Sequence, residues 1–360
     1  MKRLWKQEWK YYLFFVVIMT VILSFDQDIN WLLEFDIGDG SASDFIIGTI
    51  LYSLSESVNG YLIQRMVLKG VIGILVFKAA FFWLEKDSYG REFLQTLPVT
   101  RLDRMVFHLV MDSLVILISV TCSWMYLYCV SLDVLKSMKL ALPGFATGIF
   151  LRMAVIIGYL LFILCLINML ESLFVGGVTR IAGTAGDIFI GYLLVYFVSE
   201  LLKKSEWIQH LCGFFVLDTA GIFSNTGSEE QQLQDVMNIT VYYKGEPITI
   251  PEEYSVYRFF SNSDMGWYMG HLAGYVVLAV LLAATAVFLV RRQEQSKRDF
   301  YFAAGRYLTS GLISVAFCVI LLANARGAWH VCVIVLASVL LFVLLSYWMD
   351  TDRKPLKKQL

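Results

Sequence analysis

The 360-residue chain is 58% hydrophobic and 16% charged, with a mean hydropathy of +0.66, whereas a soluble domain is roughly 45–50% apolar and about 25% charged. So few polar residues cannot cover a water-exposed surface, and only five prolines with so much apolar content exclude a disordered chain. A disulfide scaffold is excluded too: Cys122, Cys129, Cys165, Cys318 and Cys332 fall in apolar runs, and only Cys212 lies in a polar one. The chain reads as an all-α polytopic membrane protein.

About 20 helical residues at 1.5 Å each cross a hydrocarbon core of about 30 Å, and eight segments meet that need. Residues 1–10 are basic and amphipathic and read as a short N-terminal helix. The first span, Trp9–Phe25, is short and needs Lys10 to reach back to the interface. It is followed by Asp26-Gln27-Asp28 rather than a small-residue cleavage site, so it reads as a retained span and not a signal peptide. Phe45–Ser55 is apolar but too short to cross, and reads as interfacial or re-entrant. The further spans are Met66–Leu84, Met105–Leu132, Gly144–Leu170, Ile181–Leu202, Trp267–Val290, Tyr307–Ala323 and Ala328–Met349. Between the fifth and sixth lies a loop at 203–266, in which two β-prone runs, Ile239–Tyr243 and Pro247–Ile250, flank Lys244-Gly245-Glu246 and predict a hairpin. A basic linker at 291–306 precedes the last two spans (307–349), and a basic tail at 350–360 follows them.

The charge pattern orients these spans. Of 29 basic residues, 18 fall on the side of the N-terminus, the loops after spans two, four and six, and the C-terminus. The opposite loops hold eight basic and 17 acidic residues. The bias of Lys and Arg towards the inner face places both termini in the cytoplasm. Trp83, Trp267, Tyr268, Trp329, Tyr347 and Trp348 lie at span ends, as interfacial anchors do.

Several chemistries lack their residues. There is no Gly-x-x-x-x-Gly-Lys-Ser/Thr loop for ATP, no His-Glu-x-x-His, no Cys-x-x-Cys and no Gly-x-Ser-x-Gly. His108, His210, His271 and His330 are scattered over different segments, which disfavours a metal site, and the basic loops are explained by topology rather than by nucleic acid. The chain is not expected to be an enzyme.

The informative inner segment is 85–104. A charged start leads into a short amphipathic helix with Phe93, Leu94 and Leu97 on one face, which Pro98 ends. Such a helix either lies in the headgroup layer or docks in a partner's groove. This stretch resembles the coupling loop of ABC-2 type permeases, the membrane subunits of ATP-binding-cassette transporters. Those loops show an acidic residue, a Gly, a short helix ending in Leu-Pro, and Ser/Thr-Arg before the third span. Glu85, Gly90, Phe93, Leu94, Leu97, Pro98, Thr100 and Arg101 match that pattern.

Residues 1–10 look like the family's elbow helix, and Arg291-Arg292-Gln293-Glu294 is similar to the end of its sixth span. The likeness covers about residues 1–295 and departs in the last two spans, which would be additions to a six-span core at 11–290. It implies a bacterial, multi-pass protein of the cytoplasmic membrane. A separate ATPase subunit, which binds ATP and Mg, would dock on the coupling loop. A second permease subunit, identical or homologous, would enclose the path, and the cargo would be a hydrophobic or amphipathic molecule moved outward. No cofactor is implied in this chain. The alternative is a stand-alone secondary transporter or channel, which would favour Gly- or Pro-broken spans; no span here contains Pro.

Charges inside the spans are costly, about 2.5–3.5 kcal/mol each near the bilayer centre. Lys69 and Glu200 lie close enough to an outer end to reach the interface. Lys78, Asp112 and Asp187 all sit about 10 Å from the inner edge, so Lys78 is expected either to pair with Asp112 or Asp187 or to snorkel alone. Arg152 is about 12 Å from the outer edge, where structural pairing or an anionic substrate path would account for it.

Overall fold

The computed structural model describes residues 2–24, 61–86, 101–137, 140–141, 145–173, 177–202, 205–217, 241–243, 246–248, 262–295, 300–322 and 328–351. Each of the eight apolar segments matches a helix, to within one residue at the ends of four of them: α1 (Lys2–Ser24), α2 (Tyr61–Lys86), α3 (Arg101–Ser137), α4 (Phe145–Ser172), α5 (Gly177–Leu201), α7 (Asn262–Gln295), α8 (Phe300–Leu322) and α9 (Ala328–Thr351). A further short helix, α6 (Glu206–Val216), follows α5. Uninterrupted runs without Pro leave every backbone group free to bond within its own helix, which an apolar surrounding demands.

Helices α3, α4, α5 and α7 hold the longest apolar stretches, at 102–133, 146–172, 181–199 and 266–291, while α1, α8 and α9 hold shorter ones. Apolar side chains also face outward: Leu13, Phe14, Val17 and Val21 on α1, and Val276, Val277, Val280 and Leu281 on α7, are exposed. Exposed apolar faces on long apolar helices fit a membrane-embedded protein of several spans. The N-terminal residues form no separate helix, since Lys2–Lys10 are the first turns of α1. The interfacial segment Phe45–Ser55 and most of the coupling segment lie outside the described residues.

The chain divides into two units. The first takes residues 1–77, 103–165 and 219–282, and the second takes 78–102, 166–218 and 283–360.

In the first unit, side-chain contacts fix the direction of five helices. Met19 lies against Gly73 and Phe15 against Phe77, so α1 and α2 run antiparallel. Ser119 donates to the Val16 carbonyl and Ser123 to the Thr20 carbonyl, so α1 and α3 run parallel. On α3 and α4, Trp124 donates Nε1–H to the Ile149 carbonyl at 2.7 Å, while Val115, Ile116 and Leu164 line one small pocket; these two helices are antiparallel. Arg152 with Tyr268, Gly158 with Leu272 and Tyr159 with Tyr275 make α4 and α7 parallel. Close packing depends on small residues: a Cβ at Gly70 would come within 2.8 Å of the Leu160 side chain, and one at Gly73 would overlap Met19.

The same unit contains a small antiparallel sheet in the order β1-β2-β3, from β1 (Leu140–Ala141), β2 (Val241–Tyr243) and β3 (Glu246–Ile248). β2 and β3 are the expected hairpin, with Val241 opposite Ile248 and Tyr243 opposite Glu246. Residues 140–141 pair with it from the α3–α4 connection.

In the second unit, α5 packs on α8, α8 on α9, and α5 on α6. Ser310 and Ser346 share a hydrogen bond of 2.9 Å and Gly311 lies under Phe342, which makes α8 and α9 antiparallel. Helix α6 exposes Trp207, Leu211 and Phe215 at four-residue spacing, an amphipathic stripe. It ends at Leu217, whose left-handed backbone (φ 53°) lets its N–H reach the Gly213 and Phe214 carbonyls.

Candidate functional site: polar groups buried among the apolar helices

Long apolar helices bury polar groups only where packing demands it or chemistry uses them. On α4, Arg152 is 2% exposed and its guanidinium carbon lies 5.0 Å from the ring centre of Tyr268 on α7. A cation over an aromatic face is attracted by the ring's negative π-face, and more strongly away from water. The wall continues along α7. His271 stacks on Trp267 at 3.7 Å and donates Nδ1–H to the Trp267 carbonyl at 2.9 Å. Tyr275 then packs edge-on against Tyr159 at 5.2 Å and stacks near Phe162 at 5.9 Å. The result is one buried cation at the head of an aromatic column between α4 and α7. Arg152 was expected at depth, but the column was not. Its trace in the sequence is a matched seven-residue spacing, 152/159 on α4 and 268/275 on α7, which returns each pair to one helix face.

Asp112 on α3 is buried beside a small apolar pocket lined by Met19, Gly73, Ile74, Phe77, Val115 and Leu164. In the second unit, Lys78 donates to Oδ1 of Asn168 on α4 at 3.0 Å. Lys78 was expected to pair with Asp112 or Asp187 or to snorkel alone, and of these the pairing with Asp187 is corrected. Asp187 is 3% exposed, its carboxylate meets Thr309 on α8, and neither oxygen has a completed hydrogen bond. Equal depth along two helices does not decide which faces meet, and α5 turns this face to α8.

Of the coupling residues, Glu85 lies in the last turn of α2 and Arg101 opens α3, whereas Gly90, Phe93, Leu94, Leu97, Pro98 and Thr100 lie outside the described residues. Among the described residues, no three His, Cys, Asp or Glu side chains gather in a metal-binding group. Outside the long apolar helices, burial pushes the Cys212 thiol on α6 above its ordinary value. A buried, protonated thiol of this kind is inert rather than nucleophilic.

No family model, curated protein or solved structure matches this chain.

Proposed function

We propose that this chain is the membrane subunit of an ATP-driven transporter, worked by a separate ATPase through the segment between α2 and α3. The supporting observation is the join itself. α2 ends at Lys86 and α3 begins at Arg101, on helices of opposite direction, and the sequence between them carries Gly90, Phe93, Leu94, Leu97 and Pro98 in the coupling pattern. A push on a segment held between two antiparallel spans acts on both at once.

In this reading eight helices cross the bilayer and both termini are cytoplasmic. The parallel run of α4 and α7 supports it, because the chain must recross between them an odd number of times, and α5 supplies that crossing. The first six spans form the core, and α8 and α9 are additions. A second permease subunit completes the path. The membrane is the cytoplasmic membrane of a bacterium, and the cargo is a hydrophobic or amphipathic molecule moved outward. ATP and Mg belong to the partner, whose closure on ATP would move the 87–100 segment and change which side the path opens to.

The test is co-purification with a small ATPase bearing a phosphate-binding loop and encoded next to this chain. The Phe93→Asp and Leu97→Asp variants are expected to insert normally, lose the ATPase on purification and lose ATP-coupled transport. Retention of full coupled activity in both variants would overturn the docking proposal.

A further inference from the structure

Several hydroxyls on the apolar helices find a carbonyl one turn back. Thr20 donates to the Val16 carbonyl at 2.7 Å, Ser113 to the Leu109 carbonyl at 2.7 Å, and Ser338 to the Ile334 carbonyl at 2.8 Å. Such a back-bond is the cheapest way to satisfy a hydroxyl inside a helix. Thr184 on α5 makes no such bond, and neither do Ser131 on α3 and Ser314 on α8; Thr184 differs from those two in having an unfilled carboxylate beside it on its own helix face. It is 1% exposed and its Oγ1 has no hydrogen-bond partner.

Three residues along the same helix, and so on the same face, lies Asp187. It is 3% exposed, with both carboxylate oxygens unfilled, and Thr309 of α8 faces it. One turn further, a Cβ at Gly191 would meet nothing within 4 Å, so the stripe is open beside the carboxylate. A negative charge set among helices with its oxygens unspent needs a counter-charge.

No described residue forms an ion pair with it. The titratable described side chains on the helices packed there are Tyr192 and Tyr196 on α5, Tyr307 and Cys318 on α8, and His210 and Cys212 on α6. Of these, only His210 can become a cation, and it is exposed.

We propose that Asp187, Thr184 and Thr309 form the binding site of one monovalent cation, a sodium ion or a proton, between α5 and α8. One carboxylate balances one positive charge, and two neutral hydroxyls supply oxygen without adding charge. A divalent ion would need a second carboxylate to leave the site neutral, and none of the described ones is there. Sodium would be held by the carboxylate and hydroxyl oxygens. A proton would instead sit on the carboxyl, which can then donate to the Thr309 hydroxyl.

The experiment uses the full chain in lipid nanodiscs and a hydrophobic carbodiimide, which adds to a carboxyl only while that carboxyl carries its proton. Labelling at Asp187 is located by peptide mass spectrometry, with sodium chloride titrated against choline chloride at several pH values. If sodium is the ligand, labelling falls as sodium rises and is indifferent to choline. Thr184→Val then raises the sodium needed for half-protection about tenfold, the equivalent of one lost ligand. If the ligand is a proton alone, labelling falls as pH rises and sodium has no effect. Either pattern supports the site. Absence of labelling at Asp187 at every pH, or labelling that responds to neither sodium nor pH, overturns it. The readout is binding to the isolated chain, so it succeeds or fails independently of any ATPase partner.

Discussion

Two helix seams of the same protein differ in how many of their polar groups bond across to the neighbouring helix. Along α1 and α3, Tyr12 shares a 2.7 Å hydrogen bond with His108, Ser119 and Ser123 reach carbonyls of the neighbouring helix, and Ser24 donates to Ser123 at 3.0 Å. Along α5 and α8, Thr184 and Asp187 are as deeply buried, yet their oxygens are unfilled. The first seam uses polarity as glue: each bond ties a helix to a fixed register and parallel direction. The second buries Thr184 and both Asp187 oxygens without a completed bond, although Asp187 faces Thr309 across the seam. A protein retains such groups where something other than packing uses them.

The sharpest way to break this comparison is to disturb the packing rather than the polarity. Gly73→Leu forces a side chain into Met19 and is expected to destabilise by about 3 kcal/mol, read as a lowered unfolding midpoint in detergent. A neutral outcome would mean that α1 and α2 do not meet closely there.

Next in size is Asp187→Asn. In sodium-free buffer at alkaline pH, removal of the unfilled charge is expected to stabilise by about 2 kcal/mol. The gain should shrink when sodium is added, because a bound ion stabilises only the wild-type chain. Destabilisation under both conditions would place Asp187 with the structural polar groups.

A matched pair of hydroxyl deletions sharpens the contrast. Ser123→Ala removes a donor to Thr20 and an acceptor for Ser24, a loss of about 1 kcal/mol at about 0.6 kcal/mol per bond. Thr184→Val keeps the shape and removes a hydroxyl with no partner, so its cost should be within about 0.5 kcal/mol. Equal losses at both positions would erase the distinction between the seams.

The smallest effect concerns Cys212. Because burial raises its pKa, the folded chain disfavours the thiolate more than the unfolded chain does. Its contribution is therefore unchanged below the ordinary thiol value, and stability is lost as pH rises above it. Cys212→Val should make the unfolding midpoint slightly less sensitive to pH between about 7 and about 10. An unchanged slope would mean that the thiol is accessible in the folded state.

Much of the helical framework was legible because its signal is local. Long apolar runs without Pro give α1 to α5 and α7 to α9 their positions, and the two β-prone runs about Lys244-Gly245 give the hairpin of β2 and β3. Contacts between helices were not legible in the same way. Depth along a helix follows from counting residues at a 1.5 Å rise, which brought Lys78 and Asp187 to one level. Which faces meet depends on rotation and on small residues such as Gly70 and Gly73, and Lys78 meets Asn168 while Asp187 meets Thr309. The aromatic column beside Arg152 could have been anticipated from its seven-residue spacing, but only with the knowledge that α4 and α7 run side by side. α6 was absorbed into the polar loop because eleven residues carry too little periodicity against that background.

The proposed function depends most directly on which side of the membrane the segment between α2 and α3 faces. Ser88→Cys in a cysteine-free chain, treated with a membrane-impermeant maleimide, tests it. The account predicts labelling in inverted membrane vesicles and none in intact cells. Labelling of intact cells from outside would contradict it, because no cytoplasmic ATPase could then reach Phe93, Leu97 and Pro98.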